Sequence, residues 1–130
     1  MRIVAAVFLV LVAACGGATT PSPSPGASFD GLGAALAWAQ STTLTCREWN
    51  LLTSPDQLAH AGDMLTKVRA FFRPGSGAPA ASLSQPFAAA LSDLCAGGTD
   101  CTNPDLFCDS DRVAEAAIPA YVVNEARYGP

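Results

Sequence analysis

The chain has 130 residues, 50% of them hydrophobic, and carries eleven acidic against seven basic residues for a net charge of −4. With no basic cluster anywhere, it lacks the phosphate-neutralising surface that nucleic acid requires, so nucleic acid is excluded as a partner. Arginine over lysine and abundant alanine point to a high-GC source such as an actinobacterium.

The first element is an export signal. Arg2 precedes an apolar stretch from Ile3 to Val12, and the small-residue run Val12-Ala13-Ala14 leads to Cys15. A positive start, about ten apolar residues and a small-residue cleavage site are the layout of a secretory signal. A run this short falls well under the roughly 20 residues of a bilayer-spanning helix. With its cysteine at the cut, the segment resembles the lipobox of bacterial lipoproteins. That resemblance implies a signal peptide over residues 1–14 and a mature N-terminus at Cys15, whose thiol carries diacylglycerol. Two acyl chains anchor stably where one holds only marginally. A plain secretory signal with a chance cysteine is the competing reading. Loss of residues 1–14 removes Arg2, leaving six basic against eleven acidic residues and a charge of −5.

Residues 15–28, reading CGGATTPSPSPGAS, contain no charge and no apolar periodicity. They read as a solvated tether with extended, polyproline-like stretches. About 100 residues follow, enough for a single domain over 29–130 with one small core.

Within it the pattern is helical throughout. Phe29 to Gln40 places Phe29, Leu32, Leu36 and Trp38 among many alanines. Thr45-Cys46-Arg47-Glu48 is a capping box, with Glu48 placed to bond back to the cap, and Trp49 and Leu52 give the helix behind it an apolar side. At Ser54-Pro55-Asp56-Gln57 a serine cap with proline at the first position starts a long helix. Leu58, Ala61, Leu65, Val68 and Phe72 line one face of it, widened by Met64 and Phe71. Arg69 and Arg73 complement its dipole and Pro74-Gly75 ends it. Residues 74–84 read as a loop. A helix from near Pro86 carries Phe87, Leu91 and Leu94 and has Cys95 in its last turn. Asp109 or Ser110 caps a final helix reaching about Arg127, with Val113, Ala117, Tyr121 and Val122 on its buried side and a kink at Pro119. No stretch alternates with period two. The expected fold is all-α, a small disulfide-stapled bundle of about four to five helices.

Setting Cys15 aside leaves Cys46, Cys95, Cys101 and Cys108. An even number in an exported small domain reads as two disulfides, for which arithmetic allows three connectivities. Cys46–Cys95 with Cys101–Cys108 is preferred, one bond stapling distant helices and the other closing a short loop. No C-x-x-C pair and no nearby histidine are present, so a zinc site is not expected.

The remaining candidates for chemistry are sparse. His60, the one histidine, stands four residues after Asp56, so the two can pair on a helix surface. No nucleophile accompanies it, so no Ser-His-Asp or Cys-His site is expected. Asp100, Asp105, Asp109 and Asp111 gather near the short cysteine loop, but the EF-hand spacing is missing and no metal or other cofactor is expected. Trp38 and Trp49 read as core anchors. A glycosidase pair of Glu48 with a distant aspartate has nothing in the sequence to fix its separation.

Thr45-Cys46-Arg47-Glu48-Trp49 resembles the first-helix motif of HdeA-like periplasmic acid-stress chaperones, and the likeness covers roughly residues 44 to 96. The family's single disulfide spans almost fifty residues to a helix end, as Cys46 to Cys95 would. The resemblance implies an all-helical domain, monomeric or dimeric, able to hold unfolded clients when its carboxylates protonate. The chain departs from the pattern in its lipid anchor, its second disulfide, its leading helix and its lack of lysine-rich ends.

The function expected from the sequence is that of a membrane-anchored extracytoplasmic lipoprotein, non-enzymatic, whose helical domain binds an envelope protein or an unfolded client. The alternatives are a phage- or prophage-encoded superinfection-exclusion lipoprotein that blocks an envelope receptor, a small envelope enzyme, and a carrier of an apolar ligand between the helices.

Overall fold

Six helices form among the described residues, which in this computed structural model are 29–129. They are α1 (Phe29–Ser41), α2 (Cys46–Leu51), α3 (Ser54–Phe72), α4 (Ser84–Leu94), α5 (Val113–Val123) and α6 (Glu125–Tyr128). Cys15, the expected signal over 1–14 and the tether over 15–28 lie outside the described residues. The all-α class and the disulfide staples are as the sequence predicts. The departure from helix is an isolated antiparallel bridge between Thr45 and Arg112 and a 3₁₀ turn at Ala81–Leu83.

Central to the bundle is α5, which packs against α1, α3 and α4. Val113, Ala114, Ala116, Ala117, Ile118, Ala120 and Tyr121 are all buried, so this helix is covered nearly all round. Its alanines let three neighbours approach closely, while Tyr121 fills the remaining volume by stacking on Phe72 at 5.5 Å between ring centroids. Pro119 lies inside α5, yet the helix runs on to Val123 and breaks at Asn124. The expected single last helix is therefore two, and Val122 is exposed rather than buried. Tyr128 of α6 folds back to meet Phe87 edge-on at 5.1 Å.

The leading helix buries a different face from the one its large residues suggest. Gly31, Ala35 and Ala39 point inward, and Leu36 is 42% exposed. Small side chains at i, i+4 and i+8 let α1 lie against α3 and α5 at short range. Trp38 is only half-buried and leans on Phe71 at 5.9 Å.

Helix starts follow the side chains that can satisfy free N–H groups. At Thr45 the capping box forms: Glu48 N–H donates to the threonine hydroxyl (3.2 Å) and Thr45 N–H donates to Glu48 Oε1 (3.0 Å). For α3 the cap is Thr53, one residue ahead of the serine that sequence suggests, and Asp56 N–H donates to its hydroxyl. Its Oγ is free to accept because the backbone there is extended. Leu58, the first residue of the expected apolar face, is exposed, whereas Ala61, Met64, Leu65, Val68 and Phe72 are buried as predicted. Arg69 is buried too.

Asp109 and Ser110 do not cap α5. The cap is Arg112, whose N–H donates to Glu115 Oε1 at 3.3 Å. The loop carbonyls serve α2 instead: Cys46 N–H donates to Asp111 O (2.8 Å) and Arg47 N–H to Asp109 O (3.2 Å). Val113 N–H donates in turn to Leu44 O. The segment before α5 thus closes the start of α2, which no local pattern in either segment announces.

Candidate functional site

The four domain cysteines pair as Cys46–Cys95 and Cys101–Cys108, with Cα separations of 5.2 and 5.0 Å. Their surroundings differ sharply. Cys46 and Cys95 are fully buried, and Trp49 and Asn50 reinforce their joint: Trp49 Nε1 donates to Ser92 Oγ (3.0 Å) and Asn50 Nδ2 to Cys95 O (2.9 Å). Gln57 Nε2 donates to Trp49 O (2.8 Å), tying α3 to the same corner. Cys101 is exposed and Cys108 buried. The loop between them is also held by main-chain bonds, Gly97 N–H to Phe107 O, Phe107 N–H to Leu94 O and Asp109 N–H to Gly98 O.

His60 is exposed on α3 and lines a shallow groove of about 320 Å³ with Ser41, Thr42, Thr43, Leu44, Met64 and Ala114. Two of the groove's hydroxyls are engaged elsewhere, Ser41 Oγ donating to Trp38 O (2.6 Å) and Thr42 Oγ1 to Ala39 O (2.7 Å). Asp56, the expected partner of His60, accepts from the Thr53 hydroxyl at 3.1 Å instead. Asp56 and the Ser41 and Thr42 hydroxyls are thus each bonded to a partner other than His60.

The aspartates near the cysteine loop are used locally. Asp100 accepts from both the hydroxyl and the N–H of Thr102 (2.6 and 2.9 Å), which hold its carboxyl below the ordinary range, the hydroxyl chiefly. Asp111 Oδ2 accepts from Cys108 N–H at 2.8 Å. Among the described residues no three His, Cys, Asp or Glu side chains gather closely enough to hold a metal ion. Glu48 likewise lies below its usual value, lowered first by the Thr45 N–H and then by the Thr45 hydroxyl.

At the other end of the bundle, Arg73 Nε pairs with Glu125 Oε2 at 3.2 Å and pins α6 to the end of α3. Tyr121 lies beside this pair. Its phenol is pushed up by burial first and by the charge of Glu125 second, with Arg73 and Arg69 opposing.

A feature the sequence did not single out is a groove along the α3–α4 pair. Two hollows of about 480 and 190 Å³ share Leu58 and Gln85. Alanines (Ala59, Ala81, Ala88, Ala89) and serine and glutamine side chains line it with Leu58, with no charged residue in either part. Its lining offers apolar contact and neutral hydrogen-bonding groups. Its single large apolar residue, Leu58, falls on the helical period of the buried α3 face, so the sequence pattern does not announce the groove.

No protein family, curated protein or solved structure matches this chain.

Proposed function

We propose that this chain is a membrane-anchored extracytoplasmic lipoprotein, attached through Cys15, whose helical domain binds another macromolecule without catalysing a reaction. The observation that carries the reading is the pair of intrachain disulfides, bonds that persist in oxidising compartments, in a domain preceded by an export-type N-terminus. The uncharged α3–α4 groove around Leu58 supports binding as the activity. A chaperone-like activity of the HdeA-like kind is the second reading, favoured by the same groove and by a disulfide of sequence separation 49 joining a helix start to a helix end.

Fractionation with metabolic fatty-acid labelling tests the anchor: labelled protein in the membrane fraction is expected, with label and membrane retention both lost in Cys15→Ala. An unlabelled wild-type protein contradicts it. The chaperone reading is tested by aggregation of an unfolded client at low pH. Suppression that weakens in Leu58→Asp supports it, and no suppression at stoichiometric excess removes it.

A further inference from the structure

The two ends of the bundle differ in charge. α3 has 19 residues, so at 1.5 Å per residue its ends lie about 28 Å apart. One end gathers α2, the last turn of α4, the loop from 95 to 112, and the first turns of α3 and α5. It holds Glu48, Asp56, Asp93, Asp100, Asp105, Asp109, Asp111 and Glu115 against only Arg47 and Arg112, a net charge of −6. At the other end lie the first turn of α1, the second half of α3, the last turn of α5, and α6. By sequence these segments carry Lys67, Arg69, Arg73 and Arg127 against Asp30, Asp63 and Glu125, a net charge of +1. The separation exceeds the Debye length of about 8 Å at physiological salt, so a charged surface senses the ends separately.

The second end is also where the lipid-bearing segment joins the domain. The first turn of α1 lies against the last turn of α3, where a Cβ on Gly31 would stand 2.5 Å from Phe71 O. Phe72 next to it stacks on Tyr121, two residues before Val123. Val122 and Val123, 46% and 78% exposed, therefore stand at the end from which the chain runs back to Cys15. Fourteen residues, 15–28, intervene, a reach of at most about 50 Å fully extended. Leu51 is as exposed as Val123, but it stands at the acidic end between Glu48 and Asp56.

We propose that this end, with Val122 and Val123 at its tip, rests on the anionic lipid surface, and that the acidic Cys101–Cys108 loop points away from the membrane. The inference rests on the lipid-anchored reading, since the anchor brings the domain within reach of the bilayer. Repulsion of the −6 end by anionic headgroups sets the orientation. The two valines and the alkyl stems of Arg73 and Arg127 then make contact at the headgroup boundary.

The test uses the acylated full-length mature protein in vesicles of phosphatidylethanolamine and phosphatidylglycerol, with brominated acyl chains as the quencher. Tryptophan is placed at either end, as Val123→Trp or Ser110→Trp, both at exposed positions. Read as the difference from the unsubstituted protein, which removes the signal of Trp38 and Trp49, the expected result is emission quenched about twofold at position 123, as for a side chain seated at the headgroup–acyl boundary, and unchanged at position 110. Equal quenching at both positions, or none at 123, overturns the orientation. Intact mass of the same samples reads acylation independently. An unacylated chain overturns the lipoprotein reading and the orientation with it, whereas an acylated chain unquenched at 123 overturns the orientation alone.

Discussion

Gly31 and Phe71 meet backbone to backbone: a Cβ added to the glycine would stand 2.5 Å from the Phe71 carbonyl oxygen and 3.3 Å from its carbon. The contact sets how closely α1 lies on α3, and so where the chain that leads back to Cys15 leaves the bundle. Because the obstacle is main chain, it cannot be relieved by a rotamer change. Gly31→Ala is therefore expected to destabilise the domain by about 1–3 kcal/mol, the usual range for overpacking. Gly33, two residues on, has nothing within 4 Å of its added Cβ. Gly33→Ala is expected to stabilise by about 0.5–1 kcal/mol through helix propensity. Urea denaturation midpoints of the two variants should move in opposite directions.

The two disulfides should separate in both energy and reactivity. In the chain-entropy relation, closing a sequence separation of 49 contributes about 4 kcal/mol and closing one of 7 about 2.5 kcal/mol. Replacing both members of a pair by alanine should thus cost more at Cys46–Cys95, and still more where the fully buried sulfurs leave a cavity. Under graded reduction with alkylation and mass spectrometry, Cys101 and Cys108 are expected to be labelled while Cys46 and Cys95 remain protected. Simultaneous labelling of all four would show that exposure does not govern reduction here.

Acid should weaken the start of α2. The folded value of Glu48 is lowered, so its ionised form stabilises the fold above the unfolded Glu value of about 4.3, and that contribution is lost as pH falls through the folded value. Glu48→Gln is expected to be less stable than wild type at neutral pH, with the gap closing below the carboxylate range. Denaturation at neutral and acidic pH measures this. Thr45→Ala removes the cap hydroxyl itself and should cost about 1 kcal/mol.

Alkali should act through Tyr121. Its folded value is raised, so the neutral phenol's contribution is fully present below the unfolded value of about 10 and is lost as pH rises through the folded value. Tyrosinate absorbance for this residue is expected to appear together with loss of helix, and Tyr121→Phe should move alkaline unfolding to higher pH. Titration of Tyr121 at the ordinary phenol value in the folded protein would contradict the burial argument.

What the sequence made legible was the part written in local chemistry. Thr45 and Glu48 announce a helix start because both partners lie within one turn. Ala61, Leu65, Val68 and Phe72 announce a buried face because their period is that of a helix. The pairing Cys46–Cys95 with Cys101–Cys108 follows the preferred connectivity. Misreadings fall where the deciding partner is distant in the chain. Leu36 outranks Ala35 and Ala39 in hydrophobicity, yet close packing on α3 and α5 selects the small residues. Asp109 and Ser110 look like caps for the helix that follows, but the segment is drawn to the free N–H groups of α2. Leu58 continues the α3 pattern on paper, while α4 passes beside it without covering it, and that leaves the groove. The charge difference between the bundle's ends was equally hidden, since it depends on which helix termini share an end.

Export and acylation are tested most directly by the intact mass of the protein extracted from bacterial membranes. The expected species begins at Cys15, carries diacylglycerol on that sulfur, and has no free thiol among Cys46, Cys95, Cys101 and Cys108. A chain that still begins at Met1, unacylated and with those four thiols free, would contradict the central claim.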